Sequence, residues 1–170
     1  MAATKQDWEL LLAQFIIQDG KVAPVATSLL YQYEHNSGFA LPQSYRDYCA
    51  TFGPGELRHA NTCEIHVPYA VMPQYNIDQL NDSMQHVAIT GIADVDLFLR
   101  AVFFGSNMDS DCFFWDPLDI RQSTTSEYSI YVLRRNQTIE KICESFWAFI
   151  NHYCIGPEAA DREYIFSPKY

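Results

Sequence analysis

The chain reads as an α+β domain, in which one twisted, mainly antiparallel sheet is packed with helices. Three observations predict this class. Apolar residues repeat at helical spacing near both ends of the chain. Short aromatic-rich runs separated by turn residues occupy the stretch between 101 and 133. No repeat, low-complexity segment or Ser/Gly-rich linker divides the sequence, so residues 1–170 are expected to form a single domain. Within it, 1–20 reads as an N-terminal helix, 22–155 as the core and 156–170 as a C-terminal tail.

Thr4 and Asp7 have the spacing of a helix N-cap. Beyond them Trp8, Leu11, Leu12, Phe15 and Ile16 form one apolar stripe, with Gly20 as the stop. A second helix is expected from Val25 to Glu34, ended by Asn36, Ser37 and Gly38. Pro42 suits a first helical position, where its missing N–H costs nothing. Tyr45, Tyr48, Cys49 and Phe52 continue a stripe that Gly53 closes, and Pro54-Gly55 turns into a strand over 56–59. From 61 to 100 the pattern is weak. Pro68 and Pro73 bracket an edge strand or loop, Ile77 to Gln85 suits a helix, and Val87 to Thr90 has strand composition. Ala101 to Phe104 and Cys112 to Trp115 read as a hairpin joined by Gly105 to Asp111, with Asp116-Pro117 ending its second strand. A strand follows over Tyr128 to Leu133. Thr138 then caps an expected four-turn helix bearing Ile139, Ile142, Cys143, Phe146, Phe149, Ile150 and Tyr153, with Gly156-Pro157 as its end.

Composition narrows the function classes. Hydrophobic residues make up 48% of the chain, enough for a packed core rather than disorder. The net charge of −10 repels phosphate backbones, which argues against nucleic acid; beyond that it suits either a basic protein partner or simply the solubility of an aromatic-rich chain. The N-terminus lacks the apolar run of a signal peptide, and no stretch has the ~20 apolar residues of a spanning helix. Five irregularly spaced cysteines suit a reducing compartment. A cytoplasmic protein without membrane attachment is therefore expected.

Reactive chemistry is poorly represented. No glycine-rich phosphate loop or nucleophile elbow occurs. His59, Cys63 and His66 have a ligand-like spacing, but an extended Ile65 to Pro68 would turn alternate side chains apart, so no metal is expected. Asp109, Asp111 and Asp116 lack the turn glycine and closing glutamate of a calcium loop. Cys49 and Cys143 lie on apolar stripes and read as inert thiols. No cofactor is called for.

Three blocks in order resemble the SUKH superfamily, which takes in fungal cell-wall-synthesis regulators, Syd proteins and bacterial toxin-immunity proteins. Tyr33-Glu34, then Leu41-Pro42-Gln43-Ser44-Tyr45, then Phe52-Gly53-Pro54-Gly55-Glu56-Leu57 is similar to the family's acidic residue, helix entry and glycine turn. Phe104 to Asp111, with Trp115-Asp116, resembles its hairpin ending in aspartate. Ser145-Phe146-Trp147-Ala148-Phe149-Ile150 resembles its C-terminal helix. The segment 61–100 has no counterpart in these motifs, and the helix from Thr4 to Gln18 is an addition at the front.

The resemblance implies an α+β fold, no catalysis, and action by occupying a partner protein. In the bacterial branch that partner is a toxin domain, often a nuclease, and immunity is the function expected. A regulatory scaffold binding a host protein is the alternative, and an enzyme with a concealed pocket the third. Asp109, Asp111, Asp116 and Asp119, beside Phe113 and Trp115, are the expected partner-facing edge, on a monomer or homodimer.

Overall fold

The computed structural model describes residues 3–156 and 162–169. Its framework is an open, twisted eight-stranded sheet in the order β1-β8-β2-β3-β4-β5-β6-β7. The strands are β1 (Ile16–Ile17), β2 (Gly55–Arg58), β3 (Thr62–Ile65), β4 (Val102–Asn107), β5 (Cys112–Gln122), β6 (Glu127–Leu133), β7 (Ile139–Cys143) and β8 (Ile165–Pro168). Every neighbouring pair is antiparallel except β1 with β8, so the α+β class holds. Helices α1 (Lys5–Leu12), α2 (Thr27–Ser37), α3 (Gln43–Thr51), α4 (Ile77–Gln85), α5 (Val95–Arg100) and α6 (Phe146–Ala148) cover it. The last runs on as a wide π-helical turn, Phe149–Ile155.

Both faces of the sheet are packed, which explains the unbroken aromatic runs. In a strand successive side chains point to opposite faces. Phe104, Phe113 and Trp115 enter the main core with Trp8, Tyr45, Tyr48, Phe52 and Phe146. Their neighbours Phe103 and Phe114 enter a smaller core with Met84, Leu97, Phe98 and Leu133, beneath α4 and α5.

The helix caps follow local rules. Thr4 and Asp7 form a capping box, and Gly38 takes the left-handed position after α2 at φ 70°. Pro42 stands one residue before α3, and Gly53 follows that helix at φ 75°. The Ile77 to Gln85 helix has the expected bounds.

Four expectations are corrected. The N-terminal helix stops at Leu12, because the N–H groups of Ile16 and Gln18 donate to Tyr164 and Phe166 of the C-terminal segment (2.8 and 2.9 Å). That pairing lifts β1 out of the helical stripe and places β8, from the expected tail, inside the sheet. Val87 to Thr90 forms no strand; it lies on the surface between α4 and α5. β5 runs past Asp116-Pro117 to Gln122, although the register against β6 shifts between Trp115 and Ile120.

The fourth correction is the largest. Ile139 to Cys143 is a strand, joined to β6 by a tight turn in which Gln137 has φ 68°. A register shift opposite Ile130 and Tyr131 turns both Ile142 and Cys143 toward the main core, while Ile139 reaches the smaller one. The bulge therefore mimics helical spacing. The helix begins only after Ser145, whose hydroxyl accepts from the Ala148 N–H. Of its expected end, Gly156 closes the π-turn by donating to Asn151, and Pro157 lies outside the described residues.

Candidate protein-binding site

The six residues expected at a partner-facing edge do not share one surface. Phe113 and Trp115 are fully buried in the main core, where they pack against Phe149 and Tyr45. Asp111 and Asp116 are 6% and 5% exposed. Asp109 is exposed in the β4–β5 turn, and Asp119 is half-buried between Tyr131, Lys141 and Arg121.

The two buried aspartates hold the sheet together. Asp111 accepts from Arg134 Nη1 and the Arg135 N–H (both 3.0 Å) and from Asn107, tying two hairpin turns to each other. Desolvation pushes its carboxyl upward, but these donors outweigh it and the net shift is downward. Asp116 receives a two-pronged grip from Arg100 Nε and Nη2 (2.8 and 2.9 Å), plus the Leu118 N–H. The Arg100 guanidinium is the main reason its carboxyl lies below the usual range.

A carboxylate with a depressed folded-state pKa contributes stability above its unfolded value, and that contribution fades as pH falls through the folded one. Asp116→Asn is therefore expected to cost about 2 kcal/mol at neutral pH. The deficit shrinks once the pH drops below the ordinary value of 3.8. Urea unfolding of both proteins at pH 7 and pH 3 measures this. An equal deficit at the two pH values would refute an ionic role for Asp116.

Other structural carboxylates escaped sequence reading. Glu34 accepts from the Leu41 N–H (2.7 Å) and Arg46 Nη1 (2.6 Å), fastening the entry to α3. Glu127, the first residue of β6, is buried and caps α3 by accepting from the Ser44 N–H and hydroxyl (both 2.8 Å). Desolvation raises its pKa against those hydrogen bonds. The two partners stand 83 positions apart, so no local signal marks the cap.

The reactive candidates are dispersed as well. Cys63 is buried in the main core, His66 lies on the opposite face of the sheet beside Tyr75, and His59 stacks on Tyr164. Among the described residues no group of three His, Cys, Asp or Glu side chains is arranged to hold a metal. Burial pushes the Cys112 and Cys143 thiols up to about 11 and the Cys49 thiol further, which opposes nucleophile formation. No helix in the described residues is long and apolar enough to cross a membrane.

Large apolar side chains remain on the surface at two concavities. One, of about 320 Å³, lies between the segment leading into α2 and the loop after β3. Pro24, Val25, Leu29, Val67, Tyr69 and Val71 line it; Val71 is 84% exposed and Tyr69 holds φ 59°. A left-handed backbone at a bulky residue is strained, and such strain collects at working surfaces.

The other, of about 350 Å³, lies between α4 and α5 above β4. Asn81 fixes its floor by accepting from the Phe103 N–H and donating to the Phe103 carbonyl (both 2.9 Å). Met84, Phe98 and Phe103 are buried there, whereas Ile89 and Leu99 are 45% and 68% exposed.

These features define an α+β domain with locked carboxylates and exposed apolar surface. Residues 24–152 match the SMI1 / KNR4 family (SUKH-1) model, so the chain belongs to that family and to the SUKH superfamily. Neither the curated proteins nor the solved structures provide a match. The matched region begins after α1 and β1 and ends before β8.

Proposed function

We propose that this protein is a non-catalytic, cytoplasmic binding domain that confers immunity by occupying a cognate toxin. The observation that carries the reading is the pair of surface concavities built from apolar side chains, with Val71 and Leu99 standing largely in solvent. Such patches mark protein interfaces more often than chance exposure. The buried carboxylates Asp111, Asp116 and Glu127 serve ion pairs and a helix cap, which supports binding rather than turnover. A net charge of −10 suits a basic partner such as a nuclease domain, through faster encounter.

Co-expression with the product of the adjacent gene tests this. Restored cell survival together with a stable co-purified complex is the expected result. A harmless neighbour, or survival without a complex, would sink the immunity reading. The match to the SMI1 / KNR4 family model favours a second reading, a regulatory scaffold for a host protein. In that case the neighbouring product forms no complex and a defined host protein does.

A further inference from the structure

The α4–α5 groove differs from its counterpart in its charge. No lysine or arginine occurs between Arg58 and Arg100, a stretch that contains Glu64, Asp78, Asp82, Asp94 and Asp96. Asp78 and Asp82 are exposed on α4, three residues before the groove-lining Asn81 and Gln85. Residues three apart share a helix face, so Asp82 borders the opening from that side, whereas the Asp78 carboxylate accepts from the Tyr33 hydroxyl of α2 at 2.8 Å. Asp96 is exposed on α5, three residues before Leu99, and borders it from the other. Arg100, the cation at the end of α5, is held by Asp116. The floor joins the Met84, Phe98 and Phe103 side chains to the Asn81 amide, and Asp82 and Asp96 stand at the margins.

We propose that this groove takes up a basic, amphipathic segment of the partner protein. Apolar side chains one helical turn apart seat between Met84, Ile89, Leu99 and Phe103, and flanking lysines or arginines meet Asp82 and Asp96. The proposal rests on the binding-domain reading above and adds the chemistry of the occupant. The groove is at the small end of the ~300–1,000 Å³ typical of binding pockets. It admits a few side chains, not a folded element, which matches the helix-in-groove mode of peptide recognition. A nucleic acid is repelled by the same carboxylates.

The test uses the full-length protein with labelled methyl groups and three helical peptides of one leucine pattern. Their remaining positions are lysine, serine or glutamate. The lysine peptide is expected to shift the Met84, Ile89 and Leu99 methyls, with affinity falling ~10-fold or more from low to high salt. Leu99→Ser should weaken it ~10-fold by removing an anchor. D82K with D96K should abolish the preference for lysine over glutamate. All three positions are exposed, so unchanged urea unfolding verifies the fold of the variants.

No methyl shift with the lysine peptide, equal binding of the glutamate peptide, or shifts centred on Leu29 and Val71 would each overturn the proposal. The co-expression assay separates its failure from that of the immunity reading. Peptide binding without rescue keeps the groove and removes immunity. Rescue undiminished by L99S and by D82K/D96K keeps immunity and removes the groove.

Discussion

Gly53→Ala is expected to destabilise the protein by about 4 kcal/mol or more, enough to unfold a domain of ordinary stability. Two costs coincide at this residue. Its φ of 75° is a left-handed conformation that an alanine adopts only at ~1–2 kcal/mol. A Cβ there would also lie 2.0 Å from the Ala23 carbonyl oxygen and 2.6 Å from its carbon. The strand of chain at 23–25 has no easy retreat, because the Val25 N–H donates to the Cys49 carbonyl at 2.8 Å. Gly38 provides the control. Its φ of 70° is similar, yet a Cβ there meets nothing within 4 Å, so Gly38→Ala should cost only ~1 kcal/mol. Urea midpoints of both variants measure the difference. If the two prove equal, the close approach of the 23–25 segment to the end of α3 is not a rigid feature of the fold.

Trp8→Ala is expected to cost about 4 kcal/mol, although Trp8 precedes the region that matches the family. The indole is fully buried. It meets Trp147 at a centroid distance of 4.6 Å and Tyr48 at 5.6 Å, both edge to face, with Phe52 and Phe146 just beyond. Truncation leaves a cavity among rings that cannot close onto it. Trp8→Phe should cost less, since it keeps most of the packing and removes a buried indole N–H that has no hydrogen-bond partner among the described residues. Denaturant unfolding checks the order wild type, W8F, W8A. A loss under ~1 kcal/mol for W8A would mean that α1 is an appendage rather than a wall of the core.

The same helix shows how far local signals reach. Thr4, Asp7, Trp8 and Leu11 carry its capping box and buried face, and both were legible. Phe15 and Ile16 extend the stripe on paper, but β8 claims the backbone there, and β8 arrives from the far end of the chain. The binding surface was less legible than the fold. Phe113, Trp115, Asp111 and Asp116 looked like an acidic edge with aromatic anchors. Strand alternation buries the rings, while Arg100 and Arg134 draw in the carboxylates. Neither arginine is a sequence neighbour of its aspartate. The α4–α5 groove gave one signal that was available, a long stretch with acids and no lysine or arginine, though its floor was not.

By itself the sequence determined the α+β class, the Thr4–Asp7 cap, the glycine stops at Gly38 and Gly53, the β4–β5 hairpin and the family motifs from Tyr33 to Ile150. These depend on residues within a few positions of each other, where spacing and backbone preference decide the outcome. Only the tertiary structure decided that Ile139 to Cys143 is a strand, that the C-terminal segment completes the sheet, and which acids reach solvent. Those outcomes depend on hydrogen bonds and ion pairs between residues far apart in the chain. A bulge can give a strand the spacing of a helix, and a distant arginine can turn a surface carboxylate into a buried clasp.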